Sequence, residues 1–248
     1  MTRRMMVGIG QSGSAAGPTT ITNTHRIQFV SVDATVEGAT GSNSLAITSS
    51  GFTVEFWGLV DNYTSNAANP RFVQISDGTN NLQITRGSTA ARIHTKHTQT
   101  DGTDTSHKWG SADLATGTWY HIAVVVDGTG TVTHVYQALT SDSNHTDLTD
   151  GGAGDATGTG TPANDSIWLG TRSDAAAYLN GTMDEIRVWS TQRSAAELDA
   201  NFKTGLVGTE SGLVHLYRVN DAYTDNGSAG QNLSAINTPT FETTNLPF

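Results

Sequence analysis

The sequence predicts an all-β protein: two antiparallel sheets packed face to face as a single sandwich, with one short helix near residues 194–203. Three observations predict it. Short runs of alternating apolar and polar residues recur along the chain, separated by turns containing Gly, Asp and Ser. Thr and the 27 glycines are plentiful while Lys and Glu are scarce; the branched Cβ of Thr suits a pleated surface and Gly supplies turns. The chain has 248 residues and no cysteine, and a domain of this size hides about 70% or more of its unfolded surface without needing disulfides.

The elements follow in chain order. Residues 1–24 are rich in Gly, Ser and Thr with weak periodicity, the composition of an extended arm with no core of its own. Residues 25–248 read as one sandwich including a C-terminal strand and tail. Phe52, Val54 and Phe56 alternate on one face of a strand, and Trp57 and Leu59 extend the run on the other. Arg71 to Ile75 and Leu82 to Ile84 flank the turn signal Ser76-Asp77-Gly78 and read as a hairpin. Trp119 to Val126 is apolar on both faces apart from His121, as a central strand should be, and Val132 to Tyr136 returns beside it after Asp127-Gly128. Ser141 to Asn164 has almost no apolar residue and reads as a long surface loop. Ile167-Trp168-Leu169 and Met183 to Trp189 are further strands. Ser194 with Glu197 three residues on forms a capping box, and Leu198 and Phe202 share the apolar face of the helix that follows. Phe52, Val54, Phe56, Ile122, Val124, Ile186 and Val188 are the expected core.

Composition excludes several roles. A formal charge of −10, from 13 basic and 23 acidic residues, is the wrong sign for nucleic acid or for docking on anionic lipid. No run reaches the roughly 18 apolar residues of a membrane span. The first residues carry Arg3 and Arg4 but no apolar h-region, so no signal peptide is expected.

Four segments carry a family resemblance. Phe52-Thr53-Val54-Glu55-Phe56-Trp57, Thr116 to Val124 (with Gly117, Trp119 and His121), Gly181 to Trp189 (with Asp184-Glu185 and Arg187) and Ser194-Ala195-Ala196-Glu197-Leu198 occur in that order. Together they resemble the signature strands and short helix of laminin-G-like jelly-roll domains, within the concanavalin-like lectins and glucanases. The resemblance implies the same two-sheet antiparallel sandwich. Leu213 to Tyr217 and Asp225 to Asn232 resemble another block of the family that usually precedes the first motif. Here it follows the fourth, an arrangement similar to laminin-G-like proteins of tailed-phage virions.

Candidate sites follow from the residues and from that resemblance. Strict alternation places Asp184 on the face of Ile186 and Val188, and a carboxylate so placed must be paired, hydrogen-bonded or metal-bound. The resemblance implies Ca²⁺ at the sandwich rim, held by Asp184, Asp225, Asn226 and loop carbonyls; the other reading has Asp184 capping backbone amides or pairing with Arg187 or Arg26. His94 and His97, three apart, should point to opposite faces of a strand and share no metal. His121 is expected to be structural. Trp57, Trp119 and Trp189 read as core or sheet-face residues. Trp109, among polar neighbours, is the expected exposed ring for a ligand. Catalysis is not expected: the chain lacks the carboxylate strand of the glucanases, and Asp184 and Glu185, adjacent on a strand, could not flank one bond.

Two roles follow. One is a non-enzymatic virion structural or decoration protein, assembled in a host cytoplasm and docked on capsid or tail proteins, or on further copies of itself, through its terminal arms. The other is a carbohydrate-binding adhesin module that recognises cell-surface glycans. Ordering an arm costs about 1–2 kcal/mol of backbone entropy per residue, so an arm that becomes ordered needs a surface to contact.

Overall fold

The computed structural model describes residues 19–21, 23–30, 36–41, 50–61, 70–87, 92–98, 104–109, 113–148, 165–173 and 177–248. In chain order its elements are β1 (Thr19–Thr20), β2 (Arg26–Phe29), β3 (Gly38–Gly41), β4 (Gly51–Val60), β5 (Arg71–Ser76), β6 (Asn81–Arg86), β7 (Ile93–Thr98), β8 (Asp104–Trp109), β9 (Tyr120–Asp127), β10 (Val132–Leu139), β11 (Thr146–Asp147), β12 (Ser166–Leu169), β13 (Gly181–Trp189), α1 (Ala195–Asn201), β14 (Thr204–Gly205), β15 (Leu213–Tyr217), β16 (Ser234–Ile236) and β17 (Thr240–Glu242).

Two antiparallel sheets form the sandwich. An eight-stranded sheet runs β11-β10-β9-β4-β13-β2-β17, and β15 also pairs with β13. A seven-stranded sheet runs β16-β3-β12-β5-β6-β7-β8. All seven expected core residues are fully buried between them. The hairpin of β5 and β6 and the return of β10 beside β9 form as the turn signals predict.

The eight-stranded sheet is covered on both faces, which explains why β4, β9 and β13 are apolar on both sides. Its outer face lies under α1 and the segment after it. Trp57 and Leu59 of β4 pack there with Trp119, Ala138 and Phe202, and Ala123, Val125 and Tyr136 pack with Leu198. The helix begins as the sequence predicts: the Ser194 side chain accepts from the Glu197 amide, and the Glu197 carboxylate accepts from the Ser194 amide.

Three expectations change. The body takes up the chain before residue 24, since β1 pairs with β14 and Ile21 is buried; residues 1–18 of the expected arm lie outside the described residues. The loop from Ser141 is not wholly superficial, because β11 pairs with β10 and the His145 side chain is fully buried; its residues 149–164 lie outside the described ones. The C-terminal tail, expected to serve as a docking arm, adds a strand to each sheet of this sandwich. Its β16 pairs with β3 at the edge of one sheet, and β17 pairs with β2 at the edge of the other. Beyond them the Asn245 carbonyl accepts from the Trp119 indole, 2.8 Å away, and Phe248 meets Trp57 edge-on.

Deleting residues 234–248 should therefore uncover an edge of each sheet. We expect a loss on the order of 3 kcal/mol or more, a fall of roughly 6–12 °C for a domain of this size, read by thermal melting. An unchanged melting temperature would mean that the tail is an appendage.

Candidate functional site

Strand register builds a continuous polar row across the outer face of the seven-stranded sheet. Directly opposed residues in a ladder share a face. The ladders align Ser234, Thr40, Trp168, Gln74, Gln83 and Lys96 on six neighbouring strands. Each of the three central residues is flanked in sequence by two core aliphatics, as Trp168 is by Ile167 and Leu169. Trp168 is half-buried, and its indole N–H has no partner among the described residues. Gln74 beside it is held by Ser173, whose amide donates to Oε1 and whose hydroxyl accepts from Nε2, both at 3.3 Å. Gln83 accepts from the Arg71 guanidinium. Gln74 is itself buried, at 1% exposure, so the groups of this row that can meet an incoming molecule beside the Trp168 indole are those of Thr40, Gln83 and Lys96, each half-buried.

The expected calcium residues are engaged elsewhere. Asp225 anchors its own loop. Its Oδ1 accepts from the amides of Leu216 (3.0 Å) and Gly227 (2.8 Å), and its Oδ2 from His215 Nδ1 (2.7 Å) and the Gln231 amide (2.9 Å). Gly227 reaches it because the backbone passes so close to Val214 that a Cβ would lie 2.4 Å from that carbonyl oxygen. Burial pushes the Asp225 carboxyl up, but these four donors outweigh it and hold the group below the usual carboxylate range. A carboxylate has about four acceptor positions, so none is left for a cation.

Asp184 sits apart from Asp225. A bulge sets Glu185 and Ile186 against Phe56, with Glu185 at φ +46°, and the ladder pairs Asp184 with Trp57. This corrects the alternation: Asp184 faces the outer layer, not the side of Ile186 and Val188. Its Oδ2 accepts from Asn23 Nδ2 at 2.8 Å and its Oδ1 from the Glu185 amide at 2.7 Å. Burial, followed by the Glu185 charge, pushes its carboxyl well above the usual value. Asn226 is exposed and has no part in either set. Among the described residues no group of three or more His, Cys, Asp or Glu could hold a metal ion. These residues do not fit the implied Ca²⁺.

Beneath α1 lies a buried ionic chain. Arg187 donates to Glu55 and Glu185 at 3.4 and 3.0 Å and to the carbonyls of Asn201, the last residue of α1, and Thr204 of β14, both at 2.9 Å. Trp189 also donates to Glu55. His145 lies 2.7 Å from Asp199 through Nδ1 and 2.7 Å from His121 through Nε2. His121 Nε2 lies 3.7 Å from Glu55 Oε2, and neither atom has a hydrogen-bond partner among the described residues. Burial first, then His145 and Arg187, holds His121 well below the usual histidine range, so it is neutral. His121 is buried within this chain, which reaches the surface at Asp199, whose side chain is 24% exposed.

The aromatic expectations divide. Trp57, Trp119 and Trp189 are buried as predicted. Trp109 is also buried, at 4% exposure, because it pairs with the inward-facing Ile93; its indole donates to Thr95 Oγ1 at 2.7 Å. It offers no surface to a ligand. Trp168 is the residue the sequence reading passed over, and its position between two core aliphatics was the available signal. His94 is half-buried and His97 buried, on opposite faces as expected.

Two outcomes follow. Asp225→Ala should cost about 3 kcal/mol or more, since it strands several buried donors, whereas a chelator should leave the melting curve of the unaltered chain unmoved; a chelator-induced fall would restore the calcium site. The unfolded chain takes up a proton on His121 near pH 6.5 and the folded chain does not. Stability should therefore fall as pH drops below about 6.5, by up to about 1.4 kcal/mol per pH unit from this group. Melting curves of wild type and His121→Phe between pH 7.5 and 5 should diverge on the acid side; parallel curves would mean that His121 is protonated in the fold.

Comparisons with known proteins agree with this architecture. The model of the laminin-G-like family described as the concanavalin A-like lectin/glucanases superfamily matches residues 33–199. No curated protein sequence matches the chain. Among solved structures, a candidate carbohydrate-binding protein from Bacteroides ovatus aligns with a TM-score of 0.62 at 17% identity, over 91% of this chain and 61% of that one. The heptameric SAP-like pentraxin of Limulus polyphemus aligns at 0.56 with 10% identity, over 90% and 96%. Tailspike protein 2 of bacteriophage CBA120 aligns at 0.49 with 17% identity, over 86% and 35%. This chain thus spans about three-fifths of the Bacteroides ovatus protein's length. At these identities the likeness is one of fold. The family match covers two thirds of the chain, and its strands are those of the observed sandwich: the chain belongs to the laminin-G-like family of the concanavalin A-like lectin/glucanase superfamily.

Proposed function

We propose that the chain is a carbohydrate-binding module that holds a glycan across the outer face of its seven-stranded sheet. The observation that carries this reading is Trp168, half-buried within a row of polar side chains. A sugar ring presents C–H groups on one face and hydroxyls around its edge. The indole supplies the apolar contact, and Thr40, Gln83 and Lys96 supply polar ones. At a strand spacing of about 4.8 Å, the row from Thr40 to Lys96 spans roughly 19 Å, room for more than one ring.

Binding is proposed without hydrolysis. Asp184 and Glu185 are the family-motif carboxylates, and both are buried and engaged, Asp184 by Asn23 and Glu185 by Arg187. A second reading places the same module on a virion as a structural or decoration protein, with capsid or tail proteins, or further copies, as partners. It is favoured by the composition before Thr19, rich in Gly and Ser, which has little to contribute to a core. The C-terminal tail is committed to the sandwich, so docking would fall to that N-terminal segment.

Trp168→Ala should weaken glycan binding at least tenfold, about 1.4 kcal/mol, with little change in melting temperature. Binding to a glycan array by the full chain and this variant is the measurement. A glycan bound equally by both would remove the indole face from the site, and no glycan bound by either, with particle incorporation lost on deleting residues 1–18, would favour the virion reading alone.

A further inference from the structure

A cleft of about 260 Å³ opens in the segment after β15, lined by Arg218, Val219, Asn220, Ala222, Thr224 and Asn226. We propose that it binds a carboxylated sugar residue, a hexuronate, as the acidic unit of the glycan ascribed to this module.

The cleft is built, not a gap between mobile loops. Asp225 bridges back to Tyr217 and closes the segment at its base. Val219 is buried in the intersheet core, yet its φ is +47°. A β-branched residue adopts that conformation only where its surroundings impose it, and such residues gather at ligand sites. With Val219 anchored inward, its neighbours Arg218 and Asn220 both line the cleft.

The lining is rich in donors. Asn220 Oδ1 accepts from the amides of Thr24 and His25 at 3.0 and 3.2 Å, which fixes the amide and leaves its NH₂ without a partner among the described residues. The side chains of Thr224 and Asn226 make no hydrogen bond among the described residues. Arg218 makes one, to the Leu206 carbonyl, and no ion pair. In a chain with 23 acidic and 13 basic side chains, a guanidinium that lines a cleft without a carboxylate beside it is suited to bring one in from outside. The planar fork of Arg matches a carboxylate in two-point contact. The amides and hydroxyl suit ring hydroxyls, which both donate and accept. The volume lies just below the roughly 300–1,000 Å³ of drug-sized pockets, the scale of a single sugar ring.

The inference takes the sugar from the glycan reading and adds the carboxylate, and the test separates the two. The full chain is titrated with D-glucuronate, D-glucose and acetate, followed by amide chemical shifts. Wild type is compared with Arg218→Gln, Arg218→Lys, Asn226→Ala and Trp168→Ala, each checked by thermal melting. Glucuronate should shift amides of residues 218–226 and bind at least tenfold more tightly than glucose or acetate. Arg218→Gln should lose at least tenfold, Arg218→Lys less, and Trp168→Ala nothing. Acetate binding as tightly as glucuronate, or glucuronate binding unchanged by Arg218→Gln, overturns the proposal. So does the absence of glucuronate binding, and if oligosaccharides still bind through Trp168 the glycan reading survives that failure. Glucuronate held by the cleft in a chain that binds no oligosaccharide would instead sustain the cleft and defeat the Trp168 site.

Discussion

Arg187 joins the layers of this molecule. It stands on β13, buried completely, and its guanidinium reaches two carboxylates of the eight-stranded sheet and two carbonyls, one at the end of α1 and one in β14. A buried charge of this kind is weak evidence of net stability but strongly destabilising to break. It also specifies geometry. Only when β4 and β13 are in register, with the bulge at Glu185 formed, do Glu55 and Glu185 both fall within reach of it. The helix that covers the sheet is thereby held in one place, and Trp57, Phe202 and Leu198 pack between.

That covering layer makes the two sheets unequal. The eight-stranded sheet has spent both faces on packing, and its polar groups face one another beneath α1. The seven-stranded sheet keeps a polar outer face, and the loops after β15 keep donors unpaired. The glycan reading and the cleft proposal accordingly rest on the second sheet and the rim. Two strongly perturbed groups, His121 and Asp184, lie in the first sheet beneath packed side chains. Perturbed titration is a pointer to function only where a ligand can arrive.

Much of the fold was legible in the sequence because its signals are local and agree with one another. Alternation marked Phe52, Val54 and Phe56, and a capping box marked the start of α1. The site was less legible. Asp184 was misplaced because a bulge adds one residue to a strand and reverses the face of everything beyond it, and no local composition announces one at Glu185. Trp109 was misjudged because its polar sequence neighbours say nothing of the strand's inward face, which the pairing with Ile93 decides. Trp168 was within reach of the alternation rule. Arg218 was not: the conformation of Val219 that turns the chain there depends on a core assembled from distant segments.

The closing role of β16 and β17 bears on how the chain comes to be folded. These two strands pair with β3 and β2, roughly 200 residues earlier in the chain, so the contacts that finish both sheets join distant segments. Loop closure over such distances is slow. While residues 234–242 are still inside the ribosome, β2 and β3 each wait with a bare edge, the kind of surface that invites pairing with another chain. The vulnerable species is then a sandwich complete except for these two strands.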